Sequence, residues 1–502
     1  MTHRRLVLVV LFVAIFSFDL ARPTDIDFWW HLRTGELIAH TGAVPATDPF
    51  SYTAAGQPWV AHEWLWELAT FSLYQQGGYV VAVLVSALIV TLGYAILYHL
   101  LRRLGANEIL SAALVLWAAA LTLPNLGVRP RELTHLFFAV FLNRLLLHRE
   151  GRARHLWTLP IVMLLWVNTH GAFLLGLLLL ALVVLGEIAN WLRFGGRPPR
   201  HLCLVGVATV AAATVNPQGP WMLAYPIGYY LQEENPSFTI VTEFQSPNFH
   251  EPMSLLFAAA LLLFMVLGVR RGRKAFGDGL LATVFTLQAL VSTRQISVAA
   301  LVLAPLLASA LCERFEWARE LPPSRLPRAF VKLNWLILAS LLIAGGMYVR
   351  RPQVREALQL GQEPRIGLMP AAGAGFIEDN DLPGPVFNQQ AWGGYLIHRW
   401  YPARRVFIDG RIDMYGPEIV SEYVRVANIQ PGWSEVLDKY EVRTVLIPRD
   451  SPLSILLGTD HRWQRVFQGE VEDVFVRSND GDHWSPPAQG RPPRRIESVQ
   501  SR

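Results

Sequence analysis

Apolar residues run along this chain in long blocks, separated by short polar stretches. Eleven blocks are long enough, or nearly so, to cross a bilayer as helices: about 5–21, 79–101, 109–123, 133–148, 156–170, 172–192, 202–215, 253–269, 278–293, 296–312 and 333–349. The pattern changes between the first two. Residues 28–40 read as a short amphipathic helix lying at a membrane interface, Pro45-Ala46-Thr47-Asp48-Pro49 as a turn, and 59–74 as a second apolar-aromatic helix.

From residue 350 the blocks stop and globular patterning begins. Residues 385–388, 405–409 and 444–448 read as buried strands, 416–427 and 432–440 as helices, and 463–468 with 471–477 as a closing hairpin. The expected organisation is a transmembrane domain over 1–349 with a long outer loop at 22–78, an α/β domain over 350–478, and a disordered Pro/Arg/Ser/Gly-rich tail over 479–502.

Composition agrees with a polytopic α-helical membrane protein. The chain has 502 residues, 52% hydrophobic and only 17% charged, where a soluble protein carries roughly a quarter. Its net charge of +5 suggests no nucleic acid, because the basic residues sit between apolar blocks and form no basic-aromatic surface. Cys203 opens one block and Cys312 closes another, so neither is expected to bind metal or form an outside disulfide. Met1 to Phe18 resembles a signal peptide, but Asp19-Leu20-Ala21-Arg22-Pro23 makes a poor cleavage site, so a retained first span is expected.

The loops differ in charge. One set, taken as cytoplasmic with the N-terminus, holds 20 cations; the opposite loops hold Arg22, Arg33, Arg129, Arg131 and Arg294. The bias places the N-terminus on the cytoplasmic side and the C-terminal domain outside.

The outward side also collects the candidate chemistry. Asp25 and Asp27 stand two residues apart beyond the first span, beside Trp29, Trp30 and His31. A carboxylate at that depth serves as a base or as a ligand for a divalent metal; the alternative is a helix N-cap with interfacial solvation. His62 and Glu63 face the same loop. Arg129 and Arg131 oppose the positive-inside bias, so a phosphate or diphosphate, or else Glu132 or a loop carboxylate, must offset them. Trp166-Val167-Asn168-Thr169-His170-Gly171 forms a tight outer turn that directs Asn168 and His170 to one cavity, or merely satisfies itself. Asn216-Pro217-Gln218-Gly219-Pro220 opens a loop that holds Glu243. Arg294 has no acid near it in sequence and needs a distant partner or a ligand phosphate. In the soluble domain Asp409, Arg411 and Asp413 read as a structural ion pair, and the Gly-rich run Asn388 to Tyr395 as a cover for the cavity.

The layout resembles the GT-C superfamily of membrane glycosyltransferases, which includes protein O-mannosyltransferases, oligosaccharyltransferases and aminoarabinose transferases. The acidic motif is Asp25-Ile26-Asp27; the strings Asp27 to Gly35, Thr47 to Ser51, His62 to Leu65, Trp166 to Gly171 and Phe407 to Arg411 are also similar to a group of bacterial membrane proteins. The resemblance implies a polyprenyl-phosphate-linked sugar donor, inversion at the anomeric carbon, Asp25 or Asp27 as base, and Arg129, Arg131 or Arg294 on the donor phosphate. The acceptor, whether glycan, lipid or protein, is not implied, nor is a metal requirement. No Trp-Trp-Asp motif is present: Trp29-Trp30 is followed by His31, which argues against N-glycan transfer to a sequon. The rival readings are a transporter or flippase for a lipid-linked solute, and a non-catalytic membrane assembly protein.

Overall fold

The computed structural model describes residues 3–20, 25–122, 127–152, 155–231, 242–270, 272–319, a few positions between 335 and 347, and 369–478. The expected span over 333–349 falls almost entirely outside these residues, and the tail from 479 does so completely.

In chain order the helices are α1 (His3–Leu20), α2 (Phe28–Thr41), α3 (Trp64–Arg103), α4 (Glu108–Thr122), α5 (Arg131–Arg149) and α6 (Thr158–Val167). They continue with α7 (Leu174–Phe194), α8 (Arg200–Ala213), α9 (Tyr225–Leu231), α10 (Pro252–Leu267), α11 (Ala275–Val291) and α12 (Ile296–Arg314). A helix covers every expected apolar block within the described residues. Among the described residues three helical segments are both long and apolar enough to cross a membrane: Trp64–Arg103, Gly171–Phe194 and Thr293–Arg314. Five further apolar helices of 10–17 residues accompany them: Arg5–Phe18, Glu108–Thr122, Thr158–Val167, Arg200–Ala213 and Pro252–Leu267.

The chain divides into two compact units. The first contains α1 and the helices from α3 to α12. At its centre is α12, buried at every position from Ile296 through Leu311, and packed against α4, α10 and α11 with α3 and α5 alongside. A helix enclosed on all sides shows no polar face, and its sequence accordingly reads as uniformly apolar. Helix α3 is one run interrupted at Gly77 and Gly78, whose backbones are non-helical (φ −168°, ψ 26° and φ 66°, ψ −161°). The interruption falls at the break expected between 59–74 and 79–101; the positive φ at Gly78 is cheap only for glycine.

The second unit joins Ile26–Ala61 to the C-terminal residues. The loop at 22–78 was expected to belong wholly with the spans, and its central part instead folds with the α/β unit. That unit adds α13 (Ala371–Asp379), α14 (Gly393–Trp400), α15 (Ile412–Ala427), α16 (Trp433–Lys439) and α17 (Pro452–Leu457) to strands β1 (Val386–Asn388), β2 (Thr444–Pro448), β3 (Trp463–Gln468) and β4 (Glu472–Arg477). The sheet order is β1-β2-β4-β3, with β1 parallel to β2 and the other pairs antiparallel. The hairpin and two of the three expected strands are present. The third, 405–409, does not join the sheet: Val406 exchanges backbone hydrogen bonds with Phe50 and Tyr52 instead. An extended apolar run predicts buried extended backbone, but not which partner it pairs with.

Helix α2 lies on α14. Trp29 is 1% exposed and meets the Tyr395 ring edge-on. Gly394 is required there, because a Cβ would lie 2.7 Å from the Ile26 carbonyl oxygen. The Gly-rich run expected to cover a cavity thus serves as a seat for α2.

Candidate active site

In the second unit the acidic and basic residues close on one another. Arg411 is 2% exposed. Its Nη1 lies 2.8 Å from Asp48 Oδ1 and its Nη2 2.7 Å from Asp409 Oδ2, while its guanidinium stacks over Phe50 and Trp59. Tyr415 donates a 2.5 Å hydrogen bond to Asp409, and the Asp48 carboxylate also caps the backbone N–H groups of Phe50 and Ser51. The structural ion pair expected here exists between Asp409 and Arg411, and Asp48 joins it as a further acid.

Two expected site residues also lie in this unit. Asp27 Oδ1 accepts a 3.2 Å hydrogen bond from Trp30 Nε1 and lies against Gly410, where a Cβ would meet the carboxylate. His31 is 3% exposed and its ring lies 3.6 Å, centroid to centroid, from that of Trp30.

The remaining expected residues gather in the first unit, where α5 begins. Pro130 precedes the helix and fixes its entry, which leaves Arg131 at the first position and Glu132 in the first turn. Asp25 is 3% exposed. It rests against Gly127 and forms an ion pair with Arg129. Arg129 also reaches Glu243, at 3.7 Å, and Arg131 pairs with the other oxygen of the same carboxylate. Glu132 accepts from Ser86 Oγ and from the Gly127 N–H. The loop carboxylate foreseen as an offset for the arginines is therefore Glu243, joined by Asp25.

Arg294 approaches from the turn before α12. Its Nη2 lies 3.4 Å from His170 Nε2 and its guanidinium faces the Phe244 ring. Among the described residues Arg294 makes no ion pair. Backbone contacts lock this turn to the Glu243 loop: Ser292 Oγ and Thr293 Oγ1 both donate to the Glu243 carbonyl oxygen. Burial alone would raise the Glu243 carboxyl, but Arg131, Arg294 and Arg129 outweigh it and hold the group below the usual carboxylate range.

His170 sits between these arginines and the first-loop residues. Its Nδ1 is 2.6 Å from Thr134 Oγ1, one turn along α5 from Arg131, and Trp166 Nε1 donates to the same hydroxyl. Glu63 Oε1 lies 3.6 Å from His170 and 3.7 Å from His62. Asn168 does not join this group. It accepts from Trp64 Nε1 and donates to the carbonyl oxygens of Leu164 and Val215, so its amide ties the turn to its neighbours. Two members were not picked out by sequence reasoning, Thr134 and Ser297, which bonds His135 at 2.9 Å. A hydroxyl inside an apolar helix gives no pattern, although both face the arginine-bearing end.

No three His, Cys, Asp or Glu side chains among the described residues are placed to hold a metal ion. Asp25 meets a guanidinium and Asp27 an indole N–H. These partners donate hydrogen bonds where a metal site would supply further oxygen ligands, so the two aspartates as they stand do not fit a divalent cation.

Neither a protein-family model nor a curated protein matches the sequence. Solved structures do match in fold. The apo oligosaccharyltransferase of Archaeoglobus fulgidus aligns over 89% of this chain and 69% of its own, with a TM-score of 0.58 and 13% identity. The oligosaccharyltransferase AglB of the same organism, in complex with an inhibitory peptide and a dolichol-phosphate, aligns at a TM-score of 0.54 with 12% identity, over 88% and 69% of the two chains. This chain has the GT-C fold. Mycobacterial arabinofuranosyltransferase AftD aligns over 96% of this chain and 40% of its own, with a TM-score of 0.53 and 15% identity. At such identities a GT-C likeness concerns the course of the backbone and leaves each side chain to be argued from its own surroundings.

Proposed function

We propose that this protein is a multi-pass membrane glycosyltransferase that moves a sugar from a polyprenyl-phosphate donor to an acceptor outside the bacterial cytoplasmic membrane. The observation that carries this reading is the convergence of one buried carboxylate, Asp25, with three arginines, Arg129, Arg131 and Arg294, in one unit. The GT-C fold supports it, because the neighbours with that fold include a transferase in complex with a dolichol-phosphate.

In this reading the lipid phosphate takes the guanidinium donors of Arg131 and Arg294. Arg294 makes no ion pair among the described residues, and Arg131 shares Glu243, which a phosphate displaces. Asp25 accepts the proton of the acceptor. The acceptor oxygen then bonds to the anomeric carbon from the face opposite the phosphate, and the carbon–oxygen bond to the phosphate breaks with its electron pair left on the phosphate oxygen. The developing charge there falls between the arginines, where fixed donors stabilise it without reorganisation. Asp27 hydrogen-bonds Trp30 in the second unit, which makes Asp25 the better base of the pair. Inversion follows from a single displacement.

The test is transfer from a radiolabelled polyprenyl-phosphate sugar in proteoliposomes. Wild type should release polyprenyl phosphate and Asp25→Asn should not, while Asp27→Asn retains transfer. Movement of the donor across the bilayer without a covalent product would overturn the reading in favour of a flippase.

A further inference from the structure

The opposite end of α5 holds a second set of charges, and its cations divide into two groups. Arg149, Arg270 and Lys274 are each matched by acids. Arg149 lies 2.8 Å from Asp278 and 3.2 Å from Glu187, Arg270 lies 2.7 Å from Asp278 and 2.8 Å from Glu150, and Lys274 lies 2.6 Å from Glu150. That cluster is closed on itself.

Arg103, Arg144 and Arg152 are different. None has a carboxylate at ion-pairing distance among the described residues, and all three line one cavity of about 520 Å³ together with His99, His155 and Asn143. No acidic side chain lines it. Asn143 supplies a second, independent observation. It is 6% exposed, and its Nδ2 is enclosed without a hydrogen-bond partner. A buried amide donor left unmatched costs free energy that a ligand acceptor would recover. The cavity thus offers three guanidinium groups and an amide N–H, all donors. That is the complement of a tetrahedral oxyanion.

The neighbouring space says what the anion is attached to. A second cavity of about 310 Å³ shares His99, Asn143 and Arg144 with the first and is otherwise lined by Ala95, Ile96 and Val140. A cationic mouth that continues into an apolar groove between α3 and α5 fits a phosphate with a hydrocarbon chain. We propose that this is a binding site for the phosphate of an anionic phospholipid headgroup, separate from the candidate active site. Arg144 and Arg131 stand on the same helix, roughly 20 Å apart at 1.5 Å per residue. Because the three arginines are matched by no acid among the described residues, the lipid phosphate completes the charge at this end of the bundle, as basic pockets between membrane helices do for acidic headgroups.

The experiment uses the full-length protein in detergent, with lipid bound after purification measured by mass spectrometry and thermal unfolding followed as lipids are added back. Phosphatidylglycerol should remain bound and raise the melting temperature, and phosphatidylcholine of the same chain length should not. Arg144→Gln should weaken retention of phosphatidylglycerol roughly tenfold, the scale of one charge-assisted hydrogen bond. Arg152→Gln, at the exposed mouth, gives up only one exposed hydrogen bond to the bundle, to the Arg103 carbonyl oxygen, and should weaken retention with little loss of fold. Inorganic phosphate at matched ionic strength that protects as well as phosphatidylglycerol would support the oxyanion site and assign it to a free phosphate. Equal retention of phosphatidylglycerol by wild type and both variants would overturn the proposal, as would the absence of any shift with either probe.

Discussion

Asp48 and Arg411 form a buried ion pair at 2.8 Å, with their side chains 0% and 1% exposed. The pair fastens a turn near the start of the chain to a turn in its last quarter. A guanidinium so enclosed is tolerated only with its acids in place. Asp48→Ala should therefore cost about 3–5 kcal/mol of unfolding free energy, the range for breaking one side of a buried pair. Arg411→Lys should also destabilise, since an ammonium cannot bridge both Asp48 and Asp409 in the plane that stacks on Phe50 and Trp59. Thermal unfolding of the purified chain measures both; a melting temperature unchanged in Asp48→Ala would contradict the structure.

Gly393→Ala tests the seat of the neighbouring turn. A Cβ at Gly393 would lie 2.2 Å from the Ile408 carbonyl oxygen and 2.5 Å from Asp409 Cα. Backbone atoms cannot rotate out of the way as a side chain can. The expected cost is about 1–3 kcal/mol or more, as for overpacking, read as reduced urea resistance.

Glu243→Gln should separate competition from catalysis. If Glu243 occupies the arginines that a donor phosphate needs, removing its charge should lower the KM for the lipid donor several-fold with little change in kcat. Arg131→Gln should raise that KM about tenfold, the worth of one charge-assisted hydrogen bond. A Glu243→Gln enzyme with raised KM would show that the carboxylate supports the site instead.

The same carboxylate sets a pH dependence. Its folded value lies below the ordinary 4.5, so the unfolded chain binds the proton first as pH falls. The stabilisation from Arg131, Arg294 and Arg129 is fully present above the unfolded value. It is lost as pH drops through 4.5 and on through the lower folded value. Wild type should lose thermal stability over that window more steeply than Glu243→Gln, and parallel acid unfolding curves for the two would refute the assignment.

Much of this arrangement was legible in the sequence, and the reasons are local. Arginines at the end of an apolar block, such as Arg129, Arg131 and Arg294, are conspicuous because their set of loops holds only five cations against 20 in the other. Apolar blocks specify helices by length alone, and the Gly77-Gly78 pair marks the break in α3. What the sequence did not disclose is pairing over long distance. Nothing near Arg411 identifies Asp48 as its partner, and Val406 offers the same apolar run whether it joins a sheet or bonds to Phe50. Asn168 looks like a site residue because polar groups in an outer turn are rare; only the positions of Trp64 and Val215 reveal that its amide is already used. Asp25 and Asp27 read as a pair, yet they belong to different units.

That division has a consequence for how the protein is made. Residues 26–61 emerge from the ribosome more than 300 residues ahead of Val386, Phe407 and Arg411, which they fold against. At the usual pace of elongation the early segment waits on the order of half a minute for its partners. During that interval Trp29 lacks Tyr395 and Phe50 lacks Tyr401, the rings that cover them in the folded unit. The second unit is thus completed only once its later residues have emerged, and a fragment of residues 365–478 produced without residues 26–61 would expose the surface on which α2 sits.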